Sequence, residues 1–332
     1  MDIALFLVGG LLLLALGGEL LVRGAVRVAE CLGISPLLIG LTLVGFGTST
    51  PELVTSVQAA LRGSPGIAVG NIVGSNIANI LLILGVSALL LPIAVSSAAL
   101  RRDGVLGAVV AAVFCGVGLA WTLDRLVGVV FVAGLGAYLL HAWREESRAQ
   151  EDHGAAYHKA QAFEEAHRHG LRRAGAPMSQ ARLRRMLLSA VVALGGLALV
   201  LFGGRLLVDG AIALARSLGI AEAVIGLTIV AVGTSMPELV TSVVAAIRRH
   251  ADVAFGNVLG SNIYNILGIA GVTALIAPTQ VPPEIARFDA LLMLGASLLL
   301  LVVARTGWRI GRREGTALLA GYAAYVWVLW PA

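Results

Sequence analysis

Gly47-Thr48-Ser49-Thr50-Pro51-Glu52-Leu53-Val54-Thr55-Ser56 sets one carboxylate and five hydroxyls inside a long apolar run. The same pattern returns as Gly233-Thr234-Ser235-Met236-Pro237-Glu238-Leu239-Val240-Thr241-Ser242. An ionisable side chain in hydrocarbon costs about 2.5–3.5 kcal/mol on insertion scales, so two glutamates in matched apolar settings mark a functional site. Proline has no N–H and clashes with the turn before it, so Pro51 and Pro237 are expected to break their helices and release the carbonyls of Gly47 and Gly233. Such a break survives in a bilayer only where protein, water or an ion satisfies the backbone again. Thr48 and Glu52, like Thr234 and Glu238, are four residues apart and share a helix face. Carboxylate, hydroxyl and carbonyl oxygens together are the ligands of a hard cation. A kinked packing helix with its hydroxyls bonded back to their own turn would explain the prolines but not the glutamates.

The surrounding chain is built for lipid. Of its 332 residues 58% are hydrophobic and 13% charged, and its mean hydropathy is +0.91. Soluble domains carry about 25% charged residues, so an all-α integral membrane protein is expected. Apolar runs of about 20 residues predict ten transmembrane helices near 3–22, 36–61, 66–91, 104–122, 126–143, 186–208, 222–247, 253–277, 286–304 and 314–330. The start, Met1-Asp2-Ile3-Ala4, lacks the positive charge of a signal peptide, so the first run is expected to stay as a helix. With the N terminus outside, 19 of the 24 Lys and Arg residues fall on the cytoplasmic side, leaving Arg62, Arg125, Arg205, Arg216 and Arg287 outside. The positive-inside rule therefore places both termini on the extracytoplasmic side. Topology accounts for the net charge of +5, and no nucleic-acid partner is needed. Cys31 and Cys115 have no metal-site spacing and read as packing residues without a disulfide.

The two glutamate segments belong to a longer duplication, an ungapped offset of 186 residues. Gly17-Gly18-Glu19-Leu20-Leu21-Val22-Arg23 falls on Gly203-Gly204-Arg205-Leu206-Leu207-Val208-Asp209, and Ile39-Gly40-Leu41-Thr42 on Ile225-Gly226-Leu227-Thr228. Gly70-Asn71-Ile72-Val73-Gly74-Ser75-Asn76-Ile77-Ala78-Asn79 falls on Gly256-Asn257-Val258-Leu259-Gly260-Ser261-Asn262-Ile263-Tyr264-Asn265. Five helices per half is an odd number, so the halves are expected to cross the bilayer in opposite senses. Inverted repeats with broken helices at the midplane are an architecture of secondary transporters. The expected units are 1–143, a cytoplasmic linker at 144–183, and 184–332.

Three further features follow from the repeat. Asn71, Ser75 and Asn79, with Asn257, Ser261 and Asn265, form one polar stripe per helix at steps of four. The flanking pairs Gly70/Gly74 and Gly256/Gly260 let backbones approach closely, which would bring each stripe against a Pro-broken helix. Glu19 and Arg23 become Arg205 and Asp209, an acid and a base with their order exchanged, read as helix-end ion pairs or as parts of a gate. The polar linker, with His153, His158, His167 and His169 among its acids, reads as a solvated helical segment or a transition-metal site. His141 and His250 sit at helix ends without ligand spacing. The absence of HExxH and of a midplane histidine argues against an intramembrane hydrolase.

Gly47-Thr48-Ser49-x-Pro51-Glu52 and Gly70-Asn71-x-x-Gly74-Ser75-Asn76, each present twice, resemble the alpha-repeats of the sodium/calcium exchangers in the cation/calcium antiporter superfamily. The likeness spans about 37–86 and 223–272. It implies that Glu52 and Glu238 are shared Ca²⁺ and Na⁺ ligands aided by Thr48 and Thr234. It further implies that Ser49, Ser75, Ser235, Ser261, Asn79 and Asn265 complete flanking sodium or water sites, with backbone oxygens of Gly45 and Ala231. Some relatives carry aspartate where Asn79 or Asn265 stands, so potassium coupling is not expected. The function implied is electrogenic exchange of Na⁺ for Ca²⁺ by alternating access in a prokaryotic inner membrane, with H⁺/Ca²⁺ antiport through the same glutamates as the alternative. The expected partners are the two cations and the lipid bilayer. No enzymatic activity, cofactor or obligate protein partner is expected.

Overall fold

Glycine recurs every seventh residue at Gly10, Gly17 and Gly24, and again at Gly196, Gly203 and Gly210. Seven residues are close to two helical turns, so each set lies along one face of a helix. The structure, a computed structural model, describes residues 3–32, 45–95, 100–146, 180–247 and 251–330. In it α1 (Ile3–Leu32) and α7 (Gln180–Leu218) run antiparallel with their glycine faces together. A Cβ would lie 2.7 Å from the Leu207 nitrogen on Gly10, 2.7 Å from the Val200 nitrogen on Gly17 and 2.6 Å from the Ala193 nitrogen on Gly24. Backbone occupies the space a side chain would need, so glycine alone permits this approach. The opposite faces expose Leu5, Leu12, Leu16, Val191, Leu194 and Phe202. A continuous apolar face of that size suits hydrocarbon, not water.

The rest of the first half comprises α2 (Gly45–Thr48), α3 (Thr50–Leu61), α4 (Pro65–Leu90), α5 (Leu100–Ala120) and α6 (Arg125–Glu146). After α7 come α8 (Glu222–Thr234), α9 (Met236–Ile247), α10 (Val253–Ile276), α11 (Ile285–Arg305) and α12 (Arg312–Leu329). Seven described helices are long and apolar enough to cross a membrane, and α8 with α9, bent by 47°, makes an eighth. The protein is thus an all-helical membrane protein. Its centre is α4 and α10, whose apolar windows are each 83% buried, against 28% for α1 and 22% for α7. That difference explains why α4 and α10 carry buried polar stripes while α1 and α7 carry lipid-facing leucine.

Several helix limits differ from those read in the sequence. α1 continues to Leu32 and α7 spans Gln180–Leu218, because Arg23, Arg27, Arg205 and Asp209 are carried within the helices instead of ending them. Long charged side chains lie along a helix and reach the interface without breaking it. α6 runs to Glu146, so both flanking helices enter the segment expected as linker. Residues 147–179, including His153, His158, His167 and His169, and residues 36–44 lie outside the described residues, as does His250. Cys31 and Cys115 are free thiols. Cys115 is buried and donates to the Ala290 carbonyl at 2.9 Å.

Contacts recur under the 186-residue offset with the two halves exchanged. Gly10 meets Gly203 while Gly17 meets Gly196. A two-residue antiparallel ladder pairs β1 (Ile93–Ala94) with β2 (Arg309–Ile310), and a bridge pairs Leu123 with Thr279. These two links are the same contact made in both directions, to within one residue.

The α1–α7 seam makes a controlled prediction. A Cβ on Gly196 would come 2.4 Å from the Leu21 nitrogen, whereas Gly195 has nothing within 4 Å. Gly196→Val is expected to cost about 1–3 kcal/mol or more through overpacking, and Gly195→Ala to behave like the parent. Thermal unfolding of the two purified variants, followed with size-exclusion chromatography, checks this.

Candidate cation site

The helices that carry the glutamates break at a serine. Ser49 (φ −90°, ψ 9°) separates α2 from α3, and Ser235 (φ −83°, ψ 8°) separates α8 from α9. Both prolines lie in the first turn of the restarted helix, where a missing N–H costs nothing. The break therefore falls two residues before each proline, not at it. Glu52 and Glu238 consequently occupy first turns, where the helix dipole favours negative charge. Both are buried, at 2% and 1% exposure.

Each glutamate is held by a serine from the other copy. Ser235 Oγ donates to Glu52 Oε1 at 3.1 Å, and Ser49 Oγ donates to Glu238 Oε1 at 3.4 Å. Asn71 and Asn257 brace the same residues from behind, donating to the Glu52 carbonyl at 3.1 Å and the Glu238 carbonyl at 3.3 Å. Asn71 also donates to Ser56 at 2.9 Å, as Asn257 does to Ser242 at 2.8 Å. Thr234 Oγ1 donates to Asn71 Oδ1 at 3.0 Å, tying the second copy to the first.

The pair Gly70/Gly74 does what its spacing predicts, against the opposite copy. A Cβ on Gly70 would lie 3.0 Å from the Leu227 nitrogen and one on Gly74 2.4 Å from the Leu227 carbonyl, so α4 lies directly on α8. Ser75 Oγ then reaches the Ala231 carbonyl at 3.4 Å. Asn79 Nδ2 donates to Asn262 Oδ1 at 2.9 Å, and Asn262 Nδ2 donates to the Asn76 carbonyl at 3.4 Å. Ser261 and Asn265 are buried on α10. Gly45 opens α2 and brings backbone alone. Thr48 lines a cavity of about 230 Å³ shared with Gly18, Glu19, Val22, Met236 and Val240.

The chemistry of this set suits a hard cation. Thr48 Oγ1, Asn79 Oδ1 and Asn265 Oδ1 are buried acceptors without a hydrogen-bond partner among the described residues. Oxygens so placed cost free energy until something positive meets them. Two buried carboxylates repel each other, and a divalent cation or two monovalent ones would balance them. No cluster of three or more His, Cys, Asp or Glu occurs among the described residues, which leaves an all-oxygen, amide-rich set that favours hard ions over transition metals.

Sequence reasoning missed some of this. Asn76 and Asn262 join the halves, although the stripe at steps of four passes over them. Asp103 and Asp289 are buried, at 0% and 3% exposure. Asp103 accepts from Arg102 Nε at 3.1 Å and Tyr138 at 3.4 Å, and Asp289 from Tyr325 at 2.9 Å. Their spacing equals the repeat offset, which is the signal that would have found them. Asn79 opens a π-helical stretch, Asn79–Ile83, and Asn265 lies in another, Tyr264–Ala270. Such stretches are rare and gather at functional sites.

Two broken apolar helices that bury paired carboxylates among neutral oxygens, with each copy holding the other's glutamate, define a cation transporter of the bilayer. The family model described as sodium/calcium exchanger protein matches residues 3–144 and 188–330, and the chain belongs to that family. It is a family of secondary transporters, not of enzymes. The chain is 37% identical to the putative antiporter CaxA of Alkalimonas amylolytica, with 98% of each covered. It is 36% identical to the sodium/calcium exchanger MaX1 of Methanosarcina acetivorans, over 98% of this chain and 97% of that one. To the inner membrane protein YrbG of Escherichia coli it is 35% identical, covering 98% and 95%. A solved structure of the sodium-calcium exchanger NCX_Mj superposes with a TM-score of 0.62 at 32% identity, covering 98% of each chain.

Ligand and scaffold roles separate by mutation. Thr48→Val removes an oxygen that bonds nothing among the described residues, so the cation-free melting temperature should hold while Ca²⁺ affinity falls about tenfold, a typical loss for a charge-assisted contact. Asn71→Leu removes bonds to Glu52, Ser56 and Thr234, so it should lower stability with or without Ca²⁺. Because a ligand stabilises by RT ln(1 + [L]/Kd), melting curves titrated with Ca²⁺ distinguish the two.

Proposed function

We propose that this protein exchanges Na⁺ for Ca²⁺ across a prokaryotic inner membrane by alternating access, with net movement of charge. The observation that carries the reading is the crossed pair Ser235–Glu52 and Ser49–Glu238. Two carboxylates supply a charge of −2, which one Ca²⁺ or two Na⁺ neutralise, so the cations compete for one cage. Glu52 and Glu238, with Thr48 and Thr234, bind both ions. Ser49, Ser235, Ser75, Ser261, Asn79, Asn265 and the carbonyls of Gly45 and Ala231 complete neutral sites around them. These neutral oxygens exceed what two sodium ions need, so a third Na⁺ binds beside the pair and its charge crosses the membrane.

Ten transmembrane helices in two inverted halves, 1–143 and 184–332, carry out the cycle, with 144–183 as a cytoplasmic linker and both termini outside. The exchanged contacts Gly10–Gly203 and Gly17–Gly196 support a two-fold relation between the halves, and the charge count supports the orientation. Inverted halves of this kind open alternately by rocking around a fixed site.

Ca²⁺ uptake into proteoliposomes tests the reading. An outward Na⁺ gradient should drive uptake without any need for K⁺, and the rate should change when valinomycin and K⁺ set the membrane potential. Glu238→Gln leaves one negative charge against a divalent ion and should abolish uptake. Uptake driven by a pH gradient in sodium-free vesicles, with no response to Na⁺, would replace sodium by proton coupling. Indifference to potential would remove the net charge.

A further inference from the structure

The two faces beside the carboxylate site are fastened unequally. On one face α3 is bonded to α7 along an outer groove of about 510 Å³, lined by Val54, Gln58, Arg62, Leu201 and Arg205, whose lining includes neither Thr48 nor Glu52. A Cβ on Gly204 would come 2.8 Å from Val54 Cγ1, so the helices touch there. Gln58 Nε2 donates to the Leu201 carbonyl at 2.7 Å. Arg62 donates to the Arg205 carbonyl at 3.1 Å and pairs with Asp209. Val54, Gln58 and Arg62 are four residues apart, one stripe of α3 fastened along α7.

On the other face, the corresponding described residues of α9 and α1 form no such seam. A Cβ on Gly18, the counterpart of Gly204, would meet nothing nearer than Pro51 Cγ at 3.7 Å. Val240, the counterpart of Val54, is 51% exposed. Between them lies the cavity of about 230 Å³ that reaches Thr48.

The inequality is written in the repeat. Gln58 corresponds to Val244, which has no donor, and Asp209 to Arg23, which has the same sign as Arg248, the counterpart of Arg62. Arg23 pairs within its own helix, with Glu19. One face can therefore be fastened by this trio and the other cannot.

We propose that Gln58, Arg62 and Asp209 are a conformational latch that holds the α3–α7 face shut, so that the protein at rest opens its cavity on the Glu19 side. This rests on the alternating-access reading above. Contacts made in only one of two states bias the equilibrium by their own free energy. A half-exposed ion pair and two hydrogen bonds shift it by about five- to tenfold. Cations arriving from the latched side meet fewer competent molecules, and their apparent affinity falls by that fraction.

Cysteine labelling of the full-length protein in detergent micelles tests the latch, since both faces then meet the reagent. Val54→Cys and Val240→Cys serve as reporters in separate proteins, reacted with a water-soluble maleimide and read by peptide mass spectrometry. Val240→Cys should react quickly and Val54→Cys slowly. Adding Asp209→Asn or Arg62→Gln should raise the Val54→Cys rate about five-fold without raising that of Val240→Cys. The exchange of charges, Arg62→Asp with Asp209→Arg, should return it towards the parent. Unchanged rates, or a rise at both reporters, would overturn the latch, the second because it signals loosened packing. The readout does not depend on the cargo. Shifted labelling in a protein that fails sodium-driven uptake would keep the latch and discard sodium coupling, and unshifted labelling in a protein that transports would discard the latch alone.

Discussion

Two carboxylates buried among apolar helices are the constraint on which the rest of this molecule depends. Glu52 and Glu238 are nearly inaccessible, and charge removed from water is expensive unless it is met by hydrogen bonds and opposite charge. The chain supplies the hydrogen bonds. It ends α2 and α8 at a serine so that each glutamate opens a new helix, and it sets the other copy's serine against each carboxylate. Under the proposed function the opposite charge comes with the cargo. A site that is stable only when neutralised would let one kind of cation displace another, and that competition would be the physical basis of exchange.

Close backbone approach turns the two copies into one site. Gly70 and Gly74 let α4 lie on α8, and the amides and hydroxyls of the polar stripe can then reach across. Substituting the polar residues alone would leave these distances intact, whereas a side chain on either glycine would move the whole stripe away from its partners. The same device, used between α1 and α7, joins two peripheral helices whose outer faces are lipid-soluble leucine and valine. Glycine here trades helix propensity for proximity.

Under the proposed alternating access, symmetry would give two related states, and departures from symmetry would decide which is favoured. An ideal repeat would populate both faces equally. Here the bonds of α3 to α7 have no equivalent between α9 and α1 among the described residues, and the cavity that reaches Thr48 lies on the unfastened side. Residues remote from the carboxylates can thus set the working range of the exchanger without touching an ion, because they change the population that binds and not the binding site.

The sequence by itself determined the membrane class, the duplication, the two glutamates and most of their oxygen-bearing neighbours. These are legible because hydrocarbon tolerates so few polar residues that each one is a signal, and because a kept offset doubles every signal. Glu52, Glu238, Ser75 and Asn79 could be named from that alone. Tertiary structure decided what periodicity cannot carry. It placed the helix break at Ser49 and Ser235 instead of at the prolines, since a first-turn proline is compatible with a new helix. It brought in Asn76 and Asn262, whose partners are more than 180 residues away. It buried Asp103 and Asp289 against tyrosines of the next helix. It also gave Asp209 to Arg62 instead of to Arg205, where spacing within one helix suggested a local pair. Local spacing fixes which side chains share a face, but only packing decides which face meets which.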